Sequence, residues 1–208
     1  MGNIVGRQFY LSEFQKEVII GSLLGDARLE CRSKEGNARL RIHQGDRQKE
    51  FAFWKYNILK NLVATPPRRV ICCHNPKTNE PHYSWYFHSL TFPEFKDLYC
   101  KFYSKKRKVL PENIDEMLTP VGLAVWIMDD GCRDKGSVIL NSHNFSFDEN
   151  QRLQRILKNS FGLSAGINKD RARYRLRIKK KDIQKVREIV KPYFIPSMEY
   201  KIVPVTTS

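Results

Sequence analysis

The 208-residue chain carries one unit twice, and this duplication restricts its possible folds more than any other feature. Ile58-Leu59-Lys60-Asn61 recurs ninety-eight positions later as Ile156-Leu157-Lys158-Asn159, each copy inside a helix-like stretch. An apolar helix ending in aspartate precedes each copy. A Lys-x-x-Pro follows each, as Lys108-Val109-Leu110-Pro111 and Lys201-Ile202-Val203-Pro204. Four matched residues alone are a chance event, but features in one order over roughly a hundred residues mark an internal repeat. The expected division is a first half-domain with linker over 1–112 and a second half-domain over 113–208.

Hydrophobic periodicity predicts helix, strand pair, helix, strand pair, helix in each unit, an α+β fold. In the first unit Ser12 caps a helix to about Asp26, with Phe14, Val18, Ile19, Leu23 and Leu24 at helical spacing. Strands over 27–32 and 38–43 flank a hairpin signal at Lys34-Glu35-Gly36-Asn37. A helix over 47–63 stops at Pro66-Pro67, then come strands over 70–74 and 82–88 and a helix over 92–103. Residues 104–113 read as linker. The second unit repeats the pattern with a shorter first hairpin: helix 121–130, strand 137–142, helix 148–161, strands 164–168 and 172–179, helix 182–193.

The chain holds 37 Lys and Arg against 22 Asp and Glu, a net charge of +15, which points to a polyanionic partner. A ribosome-associated or simply soluble basic protein is the bland alternative. The charge is patterned: in 171–179 Arg171, Arg173, Arg175, Arg177 and Lys179 alternate with Ala172, Tyr174, Leu176 and Ile178, and no acid intervenes. Side chains of one sign on one strand face, about 6.5 to 7 Å apart, suit the major groove of DNA. Arg39, Arg41 and His43 form a weaker version opposite Ala38, Leu40 and Ile42. Phe53, Trp54, Tyr56, Trp85 and Tyr86 lie at or beside apolar-period positions and are expected in the core. Five scattered cysteines fit a reducing compartment, and Cys72, Cys73 and His74 with His82 and His88 lack the spacing of common zinc sites. No apolar run spans a bilayer and no secretory pattern opens the chain. An intracellular protein is expected, in a bacterial or archaeal cytoplasm or an organelle.

The stretch Val121 to Met128 runs into Asp129 and Asp130, although anions at a helix C-terminus are unfavourable by up to about 1 kcal/mol. Asp26 ends the first helix in the same way. If the two helices pack side by side, with Gly21 and Gly25 permitting close approach, the acids meet at one end. At about 4 Å and an effective dielectric near 20, two carboxylates repel by roughly 4 kcal/mol. A hard divalent cation reverses that sign, and magnesium prefers one or two carboxylates completed by waters and phosphates.

At these residues the chain resembles the LAGLIDADG homing endonucleases, in their monomeric form with two motifs per chain. The copies read Ile19-Ile-Gly-Ser-Leu-Leu-Gly-Asp-Ala27 and Leu123-Ala-Val-Trp-Ile-Met-Asp-Asp-Gly131. Leu118-Thr-Pro120, Leu140-Asn-Ser142 and Phe145 add to a likeness running from about Phe14 to Lys201. The resemblance implies two antiparallel sheets forming a saddle on double-stranded DNA, with the motif helices packed at a pseudo-twofold axis. It implies hydrolysis of both strands at a long asymmetric site with Mg2+, for which Mn2+ can substitute. Asp26 and Asp130 are then the metal-binding acids, Lys108 and Lys201 the basic residues of the two half-sites, and Gln44 and His143 the polar residues near the attacking water. Arg39, Arg41, Arg171, Arg173, Arg175, Arg177 and Lys179 become the DNA-binding set.

Two departures accompany the likeness: Ala27 stands where the family has Gly, and Asp129 stands opposite Gly25 in the repeat. Asp129 is either a second metal ligand or a helix-end residue bonded to nearby backbone. An RNA maturase that assists intron splicing, or a DNA-binding relative without cleavage, is the alternative within the same fold. Relatives of that kind usually lose a motif acid, whereas this chain keeps both. A small-molecule hydrolase with paired aspartates leaves the arginine strand unexplained.

Overall fold

In the computed structural model the described residues are 10–33 and 36–203. Helix α1 spans Glu13–Leu24 and begins at a capping box: Gln15 N donates to Ser12 Oγ at 3.2 Å and Ser12 N donates to Gln15 Oε1 at 3.1 Å. Strands β1 (Arg28–Cys31) and β2 (Ala38–Gly45) form the first antiparallel pair; of the hairpin between them, Lys34 and Glu35 lie outside the described residues. Helix α2 (Lys49–Leu59) is shorter than its apolar period predicts, because 3-10 turns at Asp46–Gln48 and Lys60–Leu62 take up its ends. Strands β3 (Arg68–His74) and β4 (Pro81–His88) and helix α3 (Pro93–Phe102) complete the first unit.

The segment expected as linker has structure of its own. Tyr103–Ser104 (β5) and Arg107–Lys108 (β6) make a tight hairpin whose corner, Lys105 and Lys106, takes φ of 48° and 65°. This corner turns Lys108 back toward the end of α1. A one-turn helix α4 (Ile114–Met117) leads to α5 (Pro120–Asp130), capped by Thr119 Oγ1, which accepts from Gly122 N, with proline at the first turn.

In the second unit β7 (Gly131–Asp134) pairs with β8 (Ser137–Leu140) across Lys135 and Gly136, both at positive φ, as a two-residue primed hairpin turn requires. Sequence patterning shows only β8 here, because Gly131-Cys-Arg-Asp134 has no alternation. Helix α6 (Phe147–Phe161) carries a second capping box, Ser146 with Glu149, and ends at Gly162 in the left-handed region. Strands β9 (Ala165–Asp170) and β10 (Arg173–Ile178) and helix α7 (Ile183–Val190) follow. The two four-stranded sheets have equivalent orders, β1-β2-β4-β3 and β7-β8-β10-β9, so the sequence repeat is a repeat of topology.

Between the sheets α1 packs along α5. Val121 to Asp129 are all buried, so α5 is enclosed on every side, which explains its apolar composition around the full circumference. Gly21 sets the spacing: a Cβ there would lie 2.3 Å from the Gly122 carbonyl oxygen and 2.8 Å from Val125 Cβ. Gly25 is under similar pressure, its Cβ position falling 2.5 Å from Asp129 Cβ. The close approach expected of Gly21 and Gly25 is therefore present. Helices α2 and α3 cover one face of the first sheet and α6 one face of the second. Leu40, Ile42, Phe87, Leu176 and Ile178 point into the single connected core.

Gly21→Ala tests this packing with a sign that propensity cannot mimic. In a free helix the change stabilises by about 1 kcal/mol, whereas here the added carbon should destabilise by about 1–3 kcal/mol. Urea unfolding decides between the two, and an equal or higher midpoint would show that the helices are not in backbone contact.

Candidate active site and nucleic-acid face

The C-terminal ends of α1 and α5 point the same way and bring Asp26 and Asp130 into one electrostatic neighbourhood. Among the described residues neither carboxylate has a side-chain hydrogen bond or ion pair. Asp26 reaches solvent and Asp130 is half-buried, but the protein packed around them still pushes both acids up. Asp26 rises to about 6, first through burial and then through the Asp129 charge. Asp130 rises to about 8, first through burial, then through Asp26 and Asp129. A cavity of about 690 Å³ opens beside Asp130 and is lined also by Asn141, Tyr200 and Lys201.

Each helix end has its own lysine. Lys108 Nζ donates to the carbonyls of Leu23 at 2.8 Å, Gly25 at 3.0 Å and Ala27 at 2.9 Å. Lys201 Nζ donates to the Met128 carbonyl and, at 2.9 Å, to that of Asp129. Both cations thus sit on the negative ends of the motif helices, where positive charge is favourable. Burial pulls Lys108 down to about 8 against the upward pull of Asp130, Asp129 and Asp26. Burial lowers Lys201 as well. An ammonium has three donors, so all of Lys108's are committed to carbonyls. Lys201 has two protein acceptors among the described residues and one N–H left over.

Asp129 takes neither of its two expected roles. It points away from the open end into the core, 5% exposed, where Lys55 Nζ lies 2.7 Å from both carboxylate oxygens and Gln44 Nε2 donates to Oδ1 at 2.7 Å. Lys55 is fully buried and also lies 4.3 Å from the centre of the Phe51 ring. Sequence reasoning missed Lys55, but a signal was present: it falls four residues after Phe51 and four before Leu59, on the buried stripe of α2. A lysine at a core position implies a buried acid.

Gln44 is buried beneath the site, at the inner end of β2. His143 is elsewhere: its Nε2 is 3.1 Å from Asp170 Oδ2, beside the second sheet. The strand register explains the difference. Arg28 pairs with Arg41 and Cys132 with Ile139, so the place equivalent to Gln44 belongs to Ser142, not to His143.

The open faces of the sheets carry the arginines, with two corrections to the alternating pattern. Arg171 lies in the β9–β10 turn at φ 55°, off the strand, and Lys179 is one residue beyond β10. The acids absent along β10 arrive from its neighbours: Arg177 is paired with Asp134, and Arg175 lies 3.6 Å from Asp170. In the first sheet Glu30 meets Arg39 at 2.8 Å, Arg41 at 3.1 Å and Arg28 at 3.3 Å. Arg173 is exposed and has no ion pair among the described residues. Tyr86, expected in the core, is on the open face opposite His43, with the Arg41 guanidinium 5.0 Å from its ring centre.

The buried ion pair yields a prediction. Asp129→Asn leaves Lys55 charged and unpaired in the core and should cost about 3–5 kcal/mol. The paired change Lys55→Leu with Asp129→Gly, which installs the residues of the other half, should cost much less. Chemical denaturation of both variants measures the difference, and equal losses would mean the ions are solvated.

Comparisons with known proteins agree with this architecture. The profile of the LAGLIDADG DNA endonuclease family matches residues 16–186. The DNA endonuclease I-ChuI of Chlamydomonas applanata is 31% identical over 210 residues, covering 92% of this chain and 95% of its own. The cytochrome b mRNA maturase bI2 of Debaryomyces hansenii is 29% identical over 192 residues, 89% of this chain and 72% of the maturase. The homing endonuclease I-WcaI, solved bound to its DNA recognition sequence, shares the fold at TM-score 0.86 and 24% identity, over 94% of this chain and 88% of that one. With both motif helices, their terminal aspartates and the duplicated sheets in place, the chain belongs to the LAGLIDADG DNA endonuclease family.

Proposed function

We propose that this chain is a site-specific DNA endonuclease that works as a monomer, laying its two sheets along a long asymmetric duplex and hydrolysing both strands with a divalent cation. The observation that carries the reading is the pair of unpartnered carboxylates, Asp26 and Asp130, at the adjoining ends of two packed helices. Hard oxygen donors whose pKa is held up by burial, with Asp26 and Asp129 adding to the rise at Asp130, fit a doubly charged ion, and Asp26 and Asp130 are the residues that would hold it. Bound there, Mg2+ or Mn2+ supplies activation of water and stabilisation of the 3′ leaving oxygen.

The remaining chemistry belongs to the side chains. Lys108, with every N–H given to carbonyls, acts through its charge on the phosphates. Lys201 has an N–H to spare beside the cavity, available to a water or a phosphate oxygen. The arginines tied to Glu30, Asp134 and Asp170 are pre-oriented, which lowers the entropy lost on binding, and each can read guanine or hold phosphate.

One observation favours a second reading, assistance to RNA splicing: the 29% identity to the bI2 maturase. That role requires RNA binding and does not require the two acids.

Incubation with a randomised duplex library, with and without Mg2+, tests the first reading and recovers the target. Asp26→Asn or Asp130→Asn should abolish double-strand cleavage while DNA affinity is kept; wild-type cleavage by both would sink the assignment. The metal prediction concerns pH. Carboxylates whose folded pKa is raised add stability that is complete below about 4 and lost as pH climbs through about 6 and about 8. Added Mg2+ should therefore raise the thermal midpoint at pH 8 far more than at pH 5. Equal shifts at both values would place the ion elsewhere.

A further inference from the structure

The core beneath the two aspartates breaks the symmetry that the rest of the chain keeps. The ninety-eight-position offset relates Lys55 to Leu153 and Gln44 to Ser142, and the motif alignment relates Asp129 to Gly25. One place under the site therefore holds lysine, aspartate and glutamine, and its equivalent holds leucine, glycine and serine. Leu153 is fully buried, and Ser142 Oγ lies 2.5 Å from Asn150 Oδ1 in its own half. Packing does not demand ions here, because the equivalent positions of the other half are a leucine and a glycine, and both are buried. Nor does stability favour them, since a buried ion pair is often no better than apolar residues of like volume.

What the pair does is hold an amide. Asp129 Oδ1 accepts from both Lys55 and Gln44, so the Gln44 nitrogen is turned to α5, in the residue next to Asp130. The other end of that amide, Oε1, is buried and has no partner among the described residues. A fixed acceptor held against Asp129, the residue before Asp130, can take a hydrogen bond from a water and direct its lone pair toward a phosphorus. At the equivalent place of the second half the described residues offer no such group: Ser142 is bonded to Asn150, and His143 faces Asp170.

Building on the endonuclease reading, we infer that Lys55 and Asp129 are positioning residues that orient Gln44 for the cleavage of one DNA strand only, so that the two strands are cut by unequal machinery. The pair touches no substrate and acts through the amide.

The test uses the full chain and a duplex recovered from the randomised library, each strand labelled separately, in single turnover with Mg2+. Lys55→Leu with Asp129→Gly, and independently Gln44→Ala, should slow the same strand by about tenfold or more, the usual scale for losing a supporting residue. The other strand should retain its wild-type rate, and supercoiled substrate should accumulate as nicked circle. A general loosening of the fold would slow both strands alike, so equal slowing, no slowing, or opposite strands affected by the two variants overturns the inference while leaving the endonuclease reading intact. If the double variant fails to fold, Gln44→Ala alone decides by the same strand ratio. Failure of the wild-type chain to cut either strand removes the endonuclease reading, and the inference with it.

Discussion

The contact between the backbones of α1 and α5 governs the rest of the molecule. Gly21 permits it, since even one carbon there would collide with the Gly122 carbonyl. Once the helices lie that close, their C-terminal ends are held together, and two partial negative charges are joined by three carboxylates. Such a concentration of like charge is unfavourable in low dielectric, and the surrounding structure answers it. Lys108 arrives on a tight hairpin, Lys201 from the last described turn, and Lys55 from within α2. Each cation takes part of the negative charge, yet Asp26 and Asp130 remain without a side-chain partner among the described residues.

The division of labour among the three lysines follows from their donors. Lys108 is saturated by three carbonyls, Lys201 gives two of its three N–H groups to carbonyls, and Lys55 is spent on Asp129. Two of them repeat across the pseudo-twofold axis and one does not. The site is thus symmetric in the groups that balance the helix ends and asymmetric in the layer beneath. The proposed reading of an asymmetric duplex does not require identical halves, and duplication within one polypeptide allows each half to change separately.

Much of the fold was legible from hydrophobic periodicity. The capping residue Ser12, the paired motif helices and most strands stand where period and punctuation place them. The errors share a cause. β7 has no alternation, the β5–β6 corner is made of lysines at positive φ, and Arg171 is drawn off its strand by a turn; each is settled by hydrogen-bond register, which composition does not encode. In the site, the acids and lysines could be named because the repeat shows each of them twice. Lys55 and Tyr86 appear once, and nearness in sequence to a strand end points to His143, whereas the register places Ser142 there.

The sequence by itself determined the duplication, the two apolar helices ending in aspartate, the excess of basic charge and the family to which these belong, because these are properties of order and composition. Only the tertiary structure decided where each charge is spent. The direction of Asp129, inward to Lys55 and Gln44, depends on a helix from the other half lying beneath it. The arginine faces are tempered by Glu30, Asp134 and Asp170, acids distant in order but adjacent across a sheet. Long-range pairing brings these groups within reach of one another, and at such distances a few ångströms separate a buried ion pair from a solvated surface charge.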